Sequence, residues 1–179
     1  MLVPAQAAAL AAALDELGVT SCVLIGHSMG AQFATELSIV RPDLVSHLVL
    51  IGPVVDPKRP TALHYALPML LDSALETPRI NWIEFSDYVR CGPRWYFPQL
   101  AAMFAYSLTD RIGSVSRPVL VLRGSRDPLC TEELATALAV RAPSGRSASI
   151  AGGAHVVQYS RAGRVAEAVL AFSTAEPTR

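Results

Sequence analysis

A serine lies between two glycines at residues 26–30, which read Gly-His-Ser-Met-Gly. A Gly-x-Ser-x-Gly pattern is short enough to arise by chance, so its surroundings decide what it means. Here it directly follows an apolar run and opens a segment with helical apolar spacing, which predicts a sharp turn from a strand into a helix. Such a turn strains the backbone at Ser28, and the small residues Gly26 and Gly30 let the strand and the helix pack closely. Ser28 is therefore a candidate nucleophile for acyl transfer, and a plain glycine-rich turn is the alternative.

The predicted turn also places the first N–H groups of a helix beside Ser28. These groups have no partner within the helix, and the positive end of the helix dipole lies with them. An oxygen that gains negative charge during acyl transfer is stabilised by such donors. We therefore predict that the backbone N–H of Met29 is one donor of an oxyanion hole.

A serine hydroxyl needs a base to accept its proton, and histidine is the most common one. Of the four histidines, His155 is the best candidate because it stands in a glycine-rich loop, residues 151–157, after the last predicted strand. Such a loop can carry a side chain over the carboxyl edge of a parallel sheet, where sites assemble. His27 lies within the serine turn and should point away from Ser28. His47 precedes a predicted strand and should be solvated.

The imidazole in turn needs a carboxylate that holds its tautomer and stabilises its cation. Asp127 closely follows the predicted strand 119–122, so it should lie at the same sheet edge as the serine. It stands 99 residues after Ser28, and His155 follows 28 residues later. A turn-forming aspartate before a proline is the alternative for Asp127. A nucleophile, an acid and a base after three strands are nevertheless hard to obtain by chance.

The elements that would position these residues alternate between strands and helices. Short apolar runs bounded by glycine or proline predict strands buried on both faces, as in a parallel sheet. Strands joined by helices form right-handed βαβ units, so the predicted fold class is α/β. The predicted strands are 22–25, 48–51, 119–122 and a weaker one at 147–150, and the predicted helices are 4–17, 29–40, 131–140 and 161–172.

The segment from 57 to 116 interrupts this alternation. Prolines at 57, 60, 68, 78, 93 and 98 predict short helical pieces, and nine of the twelve aromatic residues of the chain lie here. The pattern indicates an inserted helical module. Its aromatic side chains either line an apolar pocket under a lid or form the small core of the module itself. The candidate substrate-contacting residues are His27, His64, Trp82, Trp95 and Val156.

The composition excludes several classes of protein. Of the 179 residues, 51% are hydrophobic and 17% charged, so the chain is not disordered, and its net charge of zero gives nothing to attract nucleic acid. No apolar run is long enough to span a bilayer. The alanine-rich start contains Asp15 and Glu16, which favours a helix over a signal peptide. The three cysteines have neither metal-ligand nor disulfide spacing, so we expect no metal, no cofactor and a cytoplasmic location.

These segments together resemble the α/β-hydrolase superfamily, in particular its small esterase-like members. The resemblance implies the α/β-hydrolase fold from the nucleophile strand onward, with a core in two parts, 1–56 and 117–179, and a helical cap at 57–116 between them. It also implies a triad of Ser28, Asp127 and His155. The segments that carry it are 23–30, 48–53, 118–128 and 153–155.

The chain departs from the family pattern at its start. Members of the family have several strands and a helix ahead of the nucleophile strand, with a loop, often His-Gly, that supplies a second oxyanion N–H. This chain begins with the helix just before the nucleophile strand. We therefore expect a truncated member, and a decayed or partner-completed hydrolase is the alternative. The strand 22–25 should then present an unpaired apolar edge, through which a homo-oligomer could form.

The resemblance implies hydrolysis of a small apolar carboxylic ester through an acyl-enzyme. The same triad could instead hydrolyse a carbon–carbon bond next to a carbonyl, or carry out perhydrolysis. In a third interpretation the domain is inactive, because the second oxyanion donor is missing, and it binds a ligand or a partner through its exposed sheet edge. A serine nucleophile argues against dehalogenase and epoxide-hydrolase chemistries, which need a carboxylate to form the ester.

Overall fold

The computed structural model describes residues 2–55, 57–58 and 61–175. The first part of the chain forms α1 (Leu2–Glu16), β1 (Cys22–His27), α2 (Gly30–Val40) and β2 (Val45–Ile51). The middle part forms α3 (Ala62–Leu75), α4 (Pro78–Cys91), α5 (Pro93–Ala105), α6 (Leu108–Arg111) and a 3₁₀ turn (Ile112–Ser114). The last part forms β3 (Val119–Gly124), α7 (Glu132–Arg141), β4 (Gly145–Ile150), α8 (Val157–Ser160) and α9 (Ala162–Thr174).

The four strands form one parallel sheet in the order β1-β2-β3-β4. The predicted α/β fold with a parallel sheet is therefore confirmed. Because the strands run the same way, their carboxyl ends meet at one edge of the sheet. The turns that follow β1, β3 and β4 carry Ser28, Asp127 and His155, so the topology brings these three residues to that edge.

Helices cover both faces of this sheet. Side chains alternate between the two faces of a strand, and β2 and β3 are apolar on both. On one face Leu50 and Val121 pack with Leu138 of α7 and with α2. On the other face Leu122 packs with Phe172 of α9 and with α8. A strand buried on both sides must be a continuous apolar run, which is why the sequence identified these strands.

The second strand is longer than its apolar run. It begins at Val45, so His47 lies inside β2 instead of before it. The predicted solvation of His47 is wrong, because its ring packs edge-on against Phe172 with centroids 5.2 Å apart. The helix that covers this end of the sheet accounts for the difference, since α9 shields a position that the sequence alone leaves open.

The middle segment contains three helices of 13 or 14 residues, longer than the predicted short pieces. Pro78 and Pro93 each open a helix, a position where the missing N–H costs nothing. Pro68 and Pro98 lie inside helices. Proline has no N–H to donate to the backbone carbonyl four residues earlier in a helix. For both prolines that carbonyl belongs to an exposed residue, so water can donate to it instead. Within the described ranges, no helix is both long and apolar enough to cross a bilayer.

The division into two core parts and a cap stays a prediction. Its first boundary falls at Asp56, outside the described residues, and its second lies between the 3₁₀ turn and β3. The structure does place β1 at one edge of the sheet, where, among the described residues, it pairs with β2 alone. Ile25 on this edge strand is 49% exposed, so the apolar edge predicted from the sequence is present.

Candidate active site

The turn that joins β1 to α2 holds Ser28 in a left-handed backbone conformation, with φ of 53°. Such a conformation costs a non-glycine residue about 1 kcal/mol or more, so the surrounding structure must hold it. The N–H of Ser28 donates to the carbonyl of Ile51 at 2.9 Å, and its carbonyl accepts from the N–H of Ala31 at 3.1 Å. The strained strand-to-helix turn predicted from the sequence is therefore present.

The two glycines of the turn play different parts. A Cβ on Gly26 would lie 2.5 Å from the Gly30 carbonyl oxygen and 2.8 Å from Ala31 Cα, so the close packing of β1 against α2 requires a glycine there. A Cβ on Gly30 would meet no atom outside its own helix backbone and chain neighbours within 4 Å. The prediction that packing requires glycine at both positions is thus wrong for Gly30, whose Cα faces open space.

Met29 stands at the start of α2 with helical backbone angles, φ −59° and ψ −31°. Within the part of the chain that the structure describes, no side chain caps this end of the helix. Among the described residues, no oxygen accepts a hydrogen bond from the Met29 N–H. This N–H therefore remains free to donate to an oxygen bound beside Ser28, as an oxyanion donor must.

His155 and Asp127 form a buried hydrogen-bonded pair. The distance from His155 Nδ1 to Asp127 Oδ2 is 3.0 Å, and the two residues are 4% and 3% exposed. The other carboxylate oxygen, Oδ1, accepts hydrogen bonds from the N–H groups of Leu129 at 2.8 Å and Cys130 at 2.9 Å. These two bonds fix the carboxylate within the loop between β3 and α7, residues 125–131, which we call the acid loop, so that Oδ2 is aimed at the imidazole.

The serine hydroxyl is not joined to this pair. Among the described residues, Ser28 Oγ has no hydrogen-bond partner, His155 included. Catalytic hydrogen bonds are often long in the absence of substrate and tighten when it binds. The structure thus brings the predicted base and its predicted acid together and leaves the predicted nucleophile without a hydrogen bond to them at the same sheet edge.

His27 lies against His155. Its Nε2 is 3.1 Å from the carbonyl oxygen of His155, and the two ring centroids are 4.8 Å apart. The partner of His27 is thus the glycine-rich loop that carries His155, which we call the histidine loop. The contact of His27 with substrate stays a prediction.

The pKa values of His155 and His27 are shifted in opposite directions. Burial alone would lower the pKa of His155, but the hydrogen bond to Asp127 and the negative charges of Asp127, Asp72 and Glu84 raise that pKa above its ordinary value. For His27, burial and the neighbouring charge of His155 lower the pKa to about 4. At neutral pH His27 is therefore uncharged where it contacts His155.

Residues 2–168 match the profile of the family described as "Alpha/beta hydrolase family". The chain belongs to the α/β-hydrolase family. Its curated relatives include the (E)-2-((N-methylformamido)methylene)succinate hydrolase of Acinetobacter baylyi, 26% identical over 86% of this chain and 65% of the relative. The human (lyso)-N-acylphosphatidylethanolamine lipase is 47% identical over 26% of this chain. The chain thus spans 65% of the first relative's length and 14% of the second's.

Solved structures share the fold of this α/β-hydrolase. An N-acyl homoserine lactone degrading enzyme, Est816, superposes with a TM-score of 0.78 at 22% identity, over 95% of this chain and 74% of that one. A thermophilic esterase superposes with a TM-score of 0.76 at 21% identity, over 95% and 72%. The putative non-heme bromoperoxidase BpoC of Mycobacterium tuberculosis gives 0.65 at 26% identity, over 93% and 71%.

Three charged residues hold the acid and histidine loops of this α/β-hydrolase, and sequence reasoning missed them. Asp72 Oδ1 accepts a hydrogen bond from the backbone N–H of His155 at 3.0 Å, and Glu76 Oε1 accepts one from Val156 at 2.8 Å. Arg123, at the end of β3, donates to the carbonyls of Cys130 and Asp127 and to the Ser149 hydroxyl. The available signal was the four-residue spacing of the two acids at the end of a largely apolar segment.

The predicted substrate-contacting residues of the middle segment are exposed. Trp82 and Trp95 lie on the surface, 69% and 65% exposed, and the exposed His64 ring is hydrogen-bonded to Thr61 at 2.7 Å. Val156 lies in the histidine loop and is held by Glu76. Their roles in binding stay predictions. Two aromatic residues of the middle segment, the buried Tyr65 and the partly buried Phe104, pack with Val54 and Leu129, which lie outside that segment.

The charged groups around the histidine loop do not form a metal centre. Among the residues that the structure describes, no group of three or more histidine, cysteine, aspartate or glutamate side chains is arranged to hold a metal ion. The carboxylates of Asp72, Glu76 and Asp127 are instead satisfied by backbone N–H groups and by the His155 ring. The arrangement is suited to proton transfer by a histidine with fixed orientation.

Proposed function

We propose that the protein hydrolyses a carboxylic ester through an acyl-enzyme formed on Ser28, with His155 and Asp127 as the other members of the triad. The observation that carries the proposal is the 3.0 Å hydrogen bond between His155 Nδ1 and Asp127 Oδ2, at the sheet edge where a strained turn carries Ser28. Because Nδ1 donates its hydrogen to Asp127, the other ring nitrogen, Nε2, is left to accept a proton.

In the first half of the reaction, Ser28 Oγ attacks the carbonyl carbon of the ester while its proton passes to His155 Nε2. The Asp127 carboxylate stabilises the imidazolium that forms. The carbonyl oxygen becomes negative and accepts a hydrogen bond from the Met29 N–H. When the tetrahedral intermediate collapses, Nε2 gives its proton to the leaving oxygen, so the alcohol departs and the acyl group stays on Ser28.

In the second half, a water molecule takes the place of the alcohol. His155 Nε2 accepts a proton from this water as its oxygen attacks the acyl carbon. The second tetrahedral intermediate collapses, and the same proton returns to Ser28 Oγ. The products are a carboxylic acid and the regenerated serine hydroxyl.

The proposed substrate is a small ester with an apolar acyl or alcohol group. Large apolar side chains of the cap are exposed, Leu67, Trp82 and Trp95 among them, and such surfaces favour apolar ligands. The human relative is named a lipase, and one structure with the same fold is an esterase. We also propose a cytoplasmic location. The cysteines of the described residues are free, and free cysteines are typical of proteins in the reducing cytoplasm.

The proposal is tested by labelling the protein with a fluorophosphonate and by following turnover of a short-chain p-nitrophenyl ester. We expect Ser28→Ala to abolish both labelling and turnover, because the nucleophile is lost. Asp127→Asn should lower turnover by about a hundredfold or more, because the imidazole loses its orienting charge. Ser86→Ala is the matched control, since Ser86 is a half-buried serine on α4 whose hydroxyl donates to the carbonyl of Ile83 in the same helix.

The labelled residue is identified by mass spectrometry of a digest. Label on a peptide that contains Ser28 in the wild type, and its loss in the alanine variant, supports the proposal. A folded and pure wild-type protein that neither takes up the label nor turns over the ester would contradict it.

A further inference from the structure

Helix α3 ends with two buried carboxylates that the reaction above does not use. Asp72 is 5% exposed and Glu76, the residue that follows the helix, is 8% exposed. Burial of a carboxylate is unfavourable, and it raises the pKa of Asp72. A negative charge near the C-terminal end of a helix is also unfavourable, because the helix dipole is negative there. The stability of α3 therefore does not explain these two residues.

The partners of the two carboxylates do explain them. Asp72 Oδ1 accepts from the N–H of His155 at 3.0 Å, and Glu76 Oε1 accepts from the N–H of Val156 at 2.8 Å. Asp72 lies in the last turn of α3, and Glu76 directly follows the helix, four residues later in the chain. The two carboxylates accept hydrogen bonds from two successive N–H groups of the histidine loop. Hydrogen bonds to charged acceptors are stronger than those between neutral groups.

The histidine loop is thereby held at several points around one residue. His155 is bound at its N–H by Asp72, at its carbonyl by His27 and at its ring by Asp127. The contacts of Asp127 and His27 come from the ends of β3 and β1, whereas that of Asp72 comes from the middle segment of the chain. Removal of Asp72 would leave the backbone of His155 free to move away from the sheet edge.

Helix α3, which carries Asp72, contacts the loops through its two buried residues, Tyr65 and Asp72. Tyr65 packs with Leu129, two residues after Asp127, and Asp72 binds His155. Both buried residues of the helix thus meet a loop that carries a member of the proposed triad. The position of α3 is therefore coupled to the position of the acid and of the base.

We infer that Asp72 and Glu76 are positioning residues, which hold the His155–Val156 peptide from helix α3 so that the imidazole stands where proton transfer from Ser28 requires it. The inference rests on the proposed function, since it gives two residues a task in the same reaction. It assigns to the middle segment a part in assembling the base, in addition to any contact with substrate.

The test compares variants that remove the acceptor oxygen with variants that keep it. Asp72→Ala and Glu76→Ala remove the acceptor, whereas Asp72→Asn and Glu76→Gln keep an oxygen at the same place. Asp87→Ala is the matched control, because Asp87 is an exposed carboxylate on α4 whose partner is Arg90. For each variant we would measure the rate of fluorophosphonate labelling of Ser28, kcat and KM for a p-nitrophenyl ester, and hydrogen exchange at the backbone N–H groups of residues 155 and 156.

We expect each alanine variant to lower kcat and the labelling rate by about tenfold, because a buried N–H loses its acceptor and the base loses its place. KM should stay within about twofold, since neither carboxylate is placed against substrate. The asparagine and glutamine variants should recover most of the rate, and the Asp87 variant should match the wild type. Exchange at residues 155 and 156 should be slow in the wild type and fast in the alanine variants.

If Asp72→Ala does not fold, Glu76→Ala and the exchange rates of the wild type still decide the inference. Alanine variants of both residues that label at the wild-type rate would overturn it, and so would wild-type N–H groups at 155 and 156 that exchange as fast as exposed ones. A reactive wild type with fully reactive alanine variants defeats the inference alone. A wild type that does not react with the fluorophosphonate defeats the proposed function as well.

Discussion

The ring of His155 lies so close to Gly52 that a Cβ at position 52 would stand 3.1 Å from both Cε1 and Nδ1. The same atom would stand 3.2 Å from Asp127 Oδ2. Gly52 follows β2 and has a φ of 54°, in the region that favours glycine. The backbone just after β2 thus lies directly against the hydrogen-bonded His155–Asp127 pair, and the absence of a side chain at Gly52 leaves room for the pair.

Substitution of Gly52 by alanine should lower activity more than stability. The methyl group must displace the imidazole or the carboxylate by a few tenths of an ångström, and we expect kcat for a p-nitrophenyl ester to fall by about tenfold or more. The left-handed conformation adds a stability cost of about 1 kcal/mol. Turnover and urea unfolding of the purified Gly52→Ala variant measure the two effects.

Gly18→Ala is the matched control for that substitution. Gly18 has a similar φ of 67°, but a Cβ there would meet nothing within 4 Å. This variant should lose a similar free energy of unfolding and keep wild-type turnover. We attribute the loss of activity at position 52 to contact with the His155–Asp127 pair and not to backbone strain. Equal turnover in the Gly18 and Gly52 variants would contradict this.

The two glycines of the serine turn should respond differently to alanine. Gly26→Ala places a methyl group against backbone atoms of α2 at 2.5 to 2.8 Å, and backbone cannot easily move aside. We expect a loss of about 3 kcal/mol, or a fall in Tm of about 6 to 12 °C. Gly30→Ala meets open space at the start of a helix and should raise stability by about 0.5 to 1 kcal/mol.

Thermal unfolding followed by circular dichroism measures both variants. Fluorophosphonate labelling at a temperature where both are folded then shows whether the turn is intact. A Gly30 variant that is destabilised as strongly as the Gly26 variant would mean that the packing of β1 on α2 does not distinguish the two positions.

The sequence predicts the elements that are built from local pattern. The apolar runs at β1, β2 and β3 identify strands buried on both faces, and their order places Ser28, Asp127 and His155 after three strand ends. The strained turn follows from the glycines and from the serine between a strand and a helix. These features depend on residues that are close in the chain, and so short-range rules find them.

The supporting contacts depend on how distant segments dock. Asp72 meets His155 across 83 residues, and before α3 is placed on the histidine loop its carboxylate looks like an ordinary solvated charge on a helix. Arg123 follows four apolar residues of β3, where an arginine suggests the exposed end of a strand, yet it is 8% exposed. Both charged side chains are buried by tertiary packing, and the residues near them in the sequence do not predict this burial.

Arg123 should matter for stability because its guanidinium holds the acid loop. It donates to the Cys130 carbonyl at 2.7 Å, to the Ser149 hydroxyl at 3.1 Å and to the Asp127 carbonyl at 3.2 Å. Arg123→Met would remove the guanidinium that donates to the carbonyls of the buried residues Cys130 and Asp127, and should cost about 2 to 4 kcal/mol. Arg123→Lys should recover only part of this, because an ammonium group cannot reproduce the planar fork.

Urea unfolding measures these free energies, and Arg94→Met is the control, since Arg94 is exposed on α5. Turnover of the p-nitrophenyl ester should fall in the Arg123 variants, because the loop that carries Asp127 is loosened. An Arg123→Met variant as stable as the Arg94 control would show that water satisfies the carbonyls of the acid loop equally well.

His27 should make the fold sensitive to acid. Its pKa is lowered from 6.5 to about 4 in the folded chain, by burial and by the neighbouring charge of His155. The unfolded chain therefore binds a proton at His27 more readily, so this contribution to stability is full above pH 6.5 and is lost as the pH falls to about 4. The loss amounts to about 2 to 3 kcal/mol.

His155 acts in the opposite sense and must be separated from this effect. Its pKa is raised in the folded chain by Asp127 and the nearby carboxylates, so its contribution is present at low pH and is lost as the pH rises through that pKa. The variant His27→Gln keeps a side-chain donor near the His155 carbonyl but does not titrate. Its free energy of unfolding should therefore fall less than that of the wild type between pH 7 and pH 4.

Urea unfolding at pH 7, 5.5 and 4 measures the difference, and His64→Gln is the control, because His64 is exposed and bound to Thr61. The wild type and the His64 variant should lose the same free energy on acidification, about 2 to 3 kcal/mol more than the His27 variant. Parallel losses in all three proteins would mean that His27 is hydrated in the folded chain and can be protonated beside His155 without penalty.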